Sequence, residues 1–222
     1  YQYGQHVPIA DNPVIISKEM NGSAIVILPG CTGVQSYVER DLRRWSNFFL
    51  REGFVVVVAN TTSAPRPKRN CGKKNTQSAS RAVKDVYDAV KVASEVEGVE
   101  DQKVFVIGFS LGAMNGAKSI WEKNVKVAKA TGLVIPAGVI GLYGGCKYGS
   151  GSAKTFVYKD TRVPLLWLMG SKDTESPPSS CGAVKKISKT NTLSSHHLYK
   201  GATHCWDCQE LDGFKIIKIL II

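Results

Sequence analysis

The chain has 222 residues, 43% of them hydrophobic and 21% charged, which excludes a disordered or fibrous polymer and suits one domain better than two. Its 29 Lys and Arg against 18 Asp and Glu leave a formal net charge of +11, a bias toward acidic surfaces or anionic substrates. No run approaches the roughly 18 apolar residues that span a bilayer; Phe54 to Ala59 and Ile216 to Ile222 come nearest, and Lys218 interrupts the second.

Taken in chain order, apolar runs alternate with segments of helical period. Ala24 to Leu28 reads as a buried strand feeding a Pro29-Gly30 turn. Val34 to Arg51 follows, with Val38, Leu42, Trp45, Phe48 and Phe49 on one helical face. Phe54 to Ala59 is β-branched without polar alternation, the pattern of a strand covered on both faces. Ser78 to Glu97 carries Ala82, Val83, Val86, Ala89, Val90 and Ala93 on a helical stripe that Gly98 ends. Val104 to Ile107 is strand, and Leu111 to Asn124 reads as one helix. Val139 to Tyr143 and Val163 to Met169 are further strands, Ser179 to Ser188 a short helix, His197 to Tyr199 a last short strand, and the tail from Glu210 a helix. Repeated strand-helix-strand units predict an α/β fold with a mostly parallel sheet and helices on both faces. Nothing in the composition marks a boundary, so residues 1–222 read as a single domain.

The basic residues are dispersed. The densest run is Arg66, Lys68, Arg69, Lys73 and Lys74, in a Pro- and Gly-containing stretch without aromatic interleaving, so a solvated loop is expected rather than a nucleic-acid surface.

Gly108-Phe109-Ser110-Leu111-Gly112 matches G-x-S-x-G, with an apolar strand running into it and a helix-compatible stretch leaving it. That is the setting of a nucleophile elbow, where a serine stands on a tight strand-to-helix turn; the competing reading makes Ser110 a helix cap. A serine needs a base to take its proton, usually a histidine oriented by a carboxylate. On such a sheet the order is Ser, then Asp or Glu, then His. The strand Val163 to Met169 ends in Gly170-Ser171-Lys172-Asp173, which puts Asp173 at the elbow's rim, with Glu175 as competitor; Asp160 precedes the strand and belongs to the wrong end. Of four histidines, His6 is out of order, and His196 and His197 are expected to start the last strand, at the opposite rim. His204 follows that strand in a loop able to reach Ser110. The oxyanion donors expected are the backbone N–H of Leu111, just after the nucleophile, and that of Cys31, in the Pro29-Gly30-Cys31-Thr32-Gly33 turn.

Four pieces now stand together: PGCTG at Pro29 to Gly33, GFSLG at Gly108 to Gly112, LMGSKD ending at Asp173 and YKGATH ending at His204. Together they resemble the dienelactone hydrolase family of α/β-hydrolases, from about Ile25 to Asp207. The resemblance implies an α/β-hydrolase fold with no large lid domain and a small ester-cleaving site. The name-giving enzymes carry Cys at the elbow where this chain has Ser110, so a carboxylic ester or thioester is the expected substrate rather than dienelactone itself. It also implies that Asn60 and Arg66 lie in a stretch that lines the pocket of related proteins. Arg66 would hold a substrate carboxylate or be an exposed loop arginine; Tyr143 and Trp206 would wall the pocket or pack in the core.

Six cysteines can pair in 15 ways, so connectivity is not readable from spacing. Cys205-Trp206-Asp207-Cys208 is a C-x-x-C without the second pair that zinc needs, and a local disulfide bracing the His204 loop is expected. Cys31–Cys71 and Cys146–Cys181 are the remaining expectation; in a cytosolic protein all six would be free. The even cysteine count, with Tyr1 first and no signal-peptide pattern ahead of the fold, points to export after removal of a leader, into a secreted or periplasmic space. No cofactor or metal is expected. The leading expectation is a Ser-His-Asp hydrolase of a small-molecule ester; the rival is a non-catalytic protein of the same fold that docks an anionic partner through its basic surface.

Overall fold

The structure is a computed structural model that describes residues 5–9, 12–34, 36–59, 79–147, 154–182 and 191–208. Eight strands form one sheet: β1 (Gln5–Ile9), β2 (Asn12–Ile16), β3 (Ala24–Leu28), β4 (Val55–Val58), β5 (Val104–Phe109), β6 (Gly138–Leu142), β7 (Leu165–Gly170) and β8 (Ser194–Tyr199). Their order across the sheet is β1-β2-β4-β3-β5-β6-β7-β8. The six strands from β4 to β8 are mutually parallel, while β2 runs antiparallel to both β1 and β4. The four helices of the described residues are α1 (Ser36–Arg51), α2 (Ala79–Ser94), α3 (Leu111–Ser119) and α4 (Glu122–Ala130).

Side chains of one strand point alternately to opposite faces, and that period divides the core in two. Val26, Leu28, Val55, Val57, Val104, Val106 and Trp167 face the side covered by Val86, Ala89 and Ala93 of α2 and Ala113 and Ala117 of α3. Ile25, Ile27, Val56, Val58, Ile107 and Phe109 face the side covered by Leu42, Phe49 and Leu50 of α1. Because both faces are occupied, β3 and β4 are buried at every position, as their unbroken apolar runs require. Trp167 is wholly buried on this sheet against two glycines. A Cβ on Gly141 would meet its ring at 2.2 Å, and one on Gly144 at 2.8 Å.

The chain runs from β3 to β4 on one side and then crosses to β5 on the other, so the strand order reverses between β3 and β5. In open α/β sheets such a switch point leaves a crevice beyond the carboxyl ends of the strands. The turn after β3 and the Ser110 turn after β5 both open there.

Several expectations are corrected. The helix expected over Leu111 to Asn124 is two helices, broken at Ile120 and Trp121. Trp121 is extended (φ −62°, ψ 134°), bridges Thr161, stacks on Tyr158 at 4.2 Å and donates its indole N–H to Asp160 Oδ2 at 3.1 Å. Those long-range bonds outweigh the local helical preference, and they give Asp160 a partner remote from the elbow. The final strand begins at Ser194, three residues before the expected start, so His196 and His197 sit mid-strand opposite Trp167 and Leu168 rather than at the far rim. The hairpin of β1 and β2 was not expected; it places His6 in β1. Of the helix expected over Ser179 to Ser188, a 3-10 turn spans Pro178–Cys181, and residues 183–190 lie outside the described residues, as do the basic run and the tail from Glu210. Among the described residues no helix is long and apolar enough to cross a membrane.

Candidate active site

The elbow begins with backbone strain. Ser110 has φ 51° and ψ −113°, a region non-glycine residues avoid at a cost of about 1–3 kcal/mol. Its amide is tied to Leu142 O at 2.9 Å, and its carbonyl accepts from Met114 N at 3.1 Å as α3 starts. The two glycines of the motif make the turn sterically possible. A Cβ on Gly108 would stand 2.5 Å from Gly112 backbone, and one on Gly112 2.2 Å from Leu28 O. β5, the turn and the end of β3 therefore pack backbone to backbone. Ser110 makes no side-chain capping bond to α3. Its Oγ instead lies 3.0 Å from His204 Nε2.

His204 arrives in the loop after β8, with its side chain 13% exposed. Its Nδ1 is 2.8 Å from Asp173 Oδ2, and the Asp173 side chain is 1% exposed. The other carboxylate oxygen, Oδ1, accepts from the backbone N–H groups of Glu175 at 2.9 Å and Ser176 at 2.7 Å. A carboxylate facing Nδ1 favours the tautomer with the ring proton on that nitrogen, in which Nε2 is the acceptor toward Ser110. Glu175, the competitor, is 75% exposed on its side chain and 3.9 Å from Nε2, the nitrogen on the serine side. Of the two, Asp173 is the one within hydrogen-bond distance of the ring. The loops that bring the pair together are themselves joined: Lys172 N donates to Ala202 O at 2.8 Å and Gly201 N to Ser171 Oγ at 2.8 Å.

The Pro29 to Gly33 turn lies against the elbow, since a Cβ on Gly30 would be 3.5 Å from Ser110 Cβ. Gly33 N closes the turn onto Gly30 O at 3.0 Å. Cys31 follows Gly30 in that turn and is disulfide-bonded; its expected partner, Cys71, lies outside the described residues, as do Asn60 and Arg66. Leu111 is the first residue of α3. Both expected donors thus come from segments that border Ser110.

Tyr143 and Trp206 are buried, at 3% and 4% exposure. The Tyr143 ring meets the His204 ring edge-on at 5.0 Å and the Trp206 ring at 4.9 Å, so Tyr143 connects the imidazole to the buried indole. Both expected disulfides within the described residues are present, Cys146–Cys181 and Cys205–Cys208. Cys205, Asp207 and Cys208 are the one grouping of possible metal ligands among the described residues, and its two sulfurs are bonded to each other. A groove of about 690 Å³ beside α2 and α4, lined by Val83, Tyr87, Trp121 and Val127 among others, includes none of these site residues.

One group escaped the sequence. Asp207 is buried; its carboxylate accepts from Trp45 Nε1 at 2.7 Å and is electrostatically coupled to the Tyr143 hydroxyl. Arg44 Nη2 lies 3.7 Å from the same carboxylate and 3.2 Å from Asp41 Oδ1. Burial pushes the Asp207 carboxyl above its ordinary value, and the Trp45 bond and the Tyr143 hydroxyl pull the other way. Burial likewise drives the Tyr143 hydroxyl well up, with the Asp207 charge adding to it. Trp45 has an apolar signal at helical spacing, but nothing in the sequence pairs it with a residue 162 positions away.

Known proteins agree with this architecture. A Klebsiella pneumoniae protein assigned as a dienelactone hydrolase superposes with a TM-score of 0.71 at 13% identity, covering 92% of this chain and 85% of that one. A carboxylesterase of Lactobacillus plantarum gives 0.63 at 13%, covering 91% and 84%. A thermophilic esterase of Thermogutta terrifontis gives 0.64 at 16%, covering 89% and 81%. At such identities these neighbours speak for the fold. No curated protein matches the chain in sequence. The model of the dienelactone hydrolase family matches residues 11–215, nearly the whole chain and every described site residue. The chain belongs to the dienelactone hydrolase family, and is a hydrolase of the carboxylic-ester type.

Proposed function

We propose that this protein hydrolyses small-molecule carboxylic esters or thioesters through an acyl-enzyme, with Ser110 as nucleophile, His204 as base and then acid, and Asp173 as the orienting carboxylate. The reading is carried by one observation: the His204 ring bridges Ser110 Oγ at 3.0 Å and Asp173 Oδ2 at 2.8 Å. Ser110 Oγ attacks the carbonyl carbon as Nε2 takes its proton, and the carbonyl π pair moves onto oxygen. The oxyanion is held by the Leu111 and Cys31 amides. Collapse expels the alkoxide or thiolate, which receives the proton from Nε2. Water then repeats the sequence on the acyl-serine, releasing the carboxylic acid and restoring the hydroxyl. Asp173 keeps the proton on Nδ1 and stabilises the imidazolium that forms transiently.

The esterases among the structural neighbours support the substrate class, and the two disulfides support an oxidising compartment, secreted or periplasmic. The test is hydrolysis of a p-nitrophenyl acyl ester. Wild type turns it over, and Ser110→Ala loses activity by about 10⁴-fold or more while remaining folded. A Ser110→Ala variant as active as wild type overturns the assignment. So does a wild type that a fluorophosphonate fails to label, and salt-sensitive binding to polyanions alongside that failure would move the protein to the docking rival.

A further inference from the structure

A buried carboxylate is costly, and a hydrophobic residue of similar size often serves stability as well or better. Asp207 is nonetheless buried three residues beyond His204 and meets donors from two distant parts of the chain. From α1 come the Trp45 indole N–H and the Arg44 guanidinium, which also donates to the Asp207 carbonyl. From the end of β6 comes the Tyr143 hydroxyl. What these bonds supply beyond an apolar contact is direction: they fix where the loop after β8 sits relative to α1 and to Tyr143.

Two physical links run from that carboxylate to the base. The first is covalent. Cys205 and Cys208 are joined across Trp206 and Asp207, and Cys208 N donates to Cys205 O at 2.9 Å, so the segment after His204 is a closed loop. Cys205 itself has φ 53°, a left-handed conformation in a non-glycine residue that its surroundings must hold. The second link is Tyr143, whose hydroxyl is electrostatically coupled to Asp207 and whose ring stands edge-on to the imidazole at 5.0 Å. Tyr143 also has a left-handed backbone, φ 42°, immediately after the Leu142 carbonyl that anchors Ser110. A ring in that place obstructs rotation of the imidazole away from Ser110.

We infer that Asp207 is a second carboxylate serving the site: a positioning residue that docks the base-bearing loop on α1 and, through Tyr143, holds the His204 ring in line with Ser110. The inference rests on the Ser110–His204–Asp173 reading. In it Asp173 bonds the imidazole directly, while Asp207 touches neither ring nor substrate and acts by restricting both the loop and the tyrosine. A displacement on the order of 1 Å at a reacting group can cost about 10²-fold in rate, so the loss expected on breaking this contact is large for a residue outside the triad.

The experiment measures labelling of the full chain by a fluorophosphonate, as a second-order rate and as a final stoichiometry, for wild type, Asp207→Asn, Tyr143→Phe and the double variant. Steady-state hydrolysis of a p-nitrophenyl ester and thermal unfolding accompany each. Wild type labels one serine per chain. Asp207→Asn and Tyr143→Phe each label about 10- to 100-fold more slowly, to the same final stoichiometry, with kcat reduced in step and KM within about twofold. The double variant is no slower than the worse single one, because both changes break one contact. A merely structural role would lower the melting temperature and leave the labelling rate of the folded protein unchanged. The inference is overturned if Asp207→Asn labels at the wild-type rate, or if the two losses multiply in the double variant. Should Asp207→Asn not fold, Tyr143→Phe decides alone, and an unchanged rate there overturns the inference. A wild type that does not label fails the triad reading itself, a result distinct from all of these.

Discussion

The two halves of the site are held by different means. Around Ser110 the constraint is backbone: a strained serine between glycines, with Gly112 so close to Leu28 that no side chain fits, and an amide tied to the neighbouring strand. Around His204 the constraint is side chains: a disulfide, a buried carboxylate with its indole and guanidinium partners, and the edge-on ring of Tyr143. Ser110 is positioned by the sheet that carries it. His204 lies in a loop past the sheet's edge strand and is held by staples brought from elsewhere. The first arrangement is local and written in five consecutive residues; the second is assembled from residues about 160 positions apart.

The largest test of this contrast separates the carboxylates near the imidazole. Asp173→Asn removes the acceptor facing Nδ1 and should lower kcat by about 10⁴-fold with the fold intact. Glu175→Gln, an exposed change on the serine side of the ring, should stay within about twofold of wild type. Equal losses in the ester assay would mean that burial of Asp173 is not what distinguishes the two.

The disulfides provide the next test, with opposite rankings for stability and activity. By loop-closure entropy, removing Cys146–Cys181, which spans 35 residues, should cost about 4 kcal/mol, and removing Cys205–Cys208, which spans 3, only about 2 kcal/mol. Yet, on the proposed mechanism, the double Ala variant of Cys205 and Cys208 should lose more kcat, because that bridge closes the segment next to His204. Urea unfolding and ester turnover measured on both pairs give the two rankings. A Cys205/Cys208 variant with full turnover would remove the staple from the account of the base.

The smallest effect belongs to the elbow. Gly112→Ala drives a methyl against the Leu28 and Pro29 carbonyls and should cost about 1–3 kcal/mol despite alanine's better helix propensity. Gly182→Ala, where a Cβ meets nothing within 4 Å, should be neutral or stabilise by up to about 1 kcal/mol. Comparable melting temperatures for the two would show that the turn can relax around the added carbon.

How much of this is legible in the sequence follows the same division. Ser110, Asp173 and His204, expected from the order of strands and the residues after them, do come together, because strand ends in a parallel sheet converge on one rim. The central strands were found from unbroken β-branched runs such as Val55 to Val58. The helix break at Trp121 was not, since its cause is pairing with Thr161 and Asp160 some 40 residues on. The β1–β2 hairpin was missed because Pro8 and Pro13, paired across it, read as strand breakers and are tolerated here toward the sheet's edge. Asp207 was invisible for a different reason. A carboxylate between two cysteines reads as a solvent-exposed loop acid until its three partners, each distant in sequence, are in place.

The indole of Trp167 occupies the room that side chains at positions 141 and 144 would otherwise claim. Enlarging either glycine alone collides with the ring, and shrinking the ring alone hollows the sheet's interior by a bicyclic side chain, a loss of about 3–5 kcal/mol. These three positions are therefore free to vary only in concert. Homologous chains that lack the tryptophan should carry bulkier residues at the two glycine positions, so that the trio drifts as a single evolutionary unit.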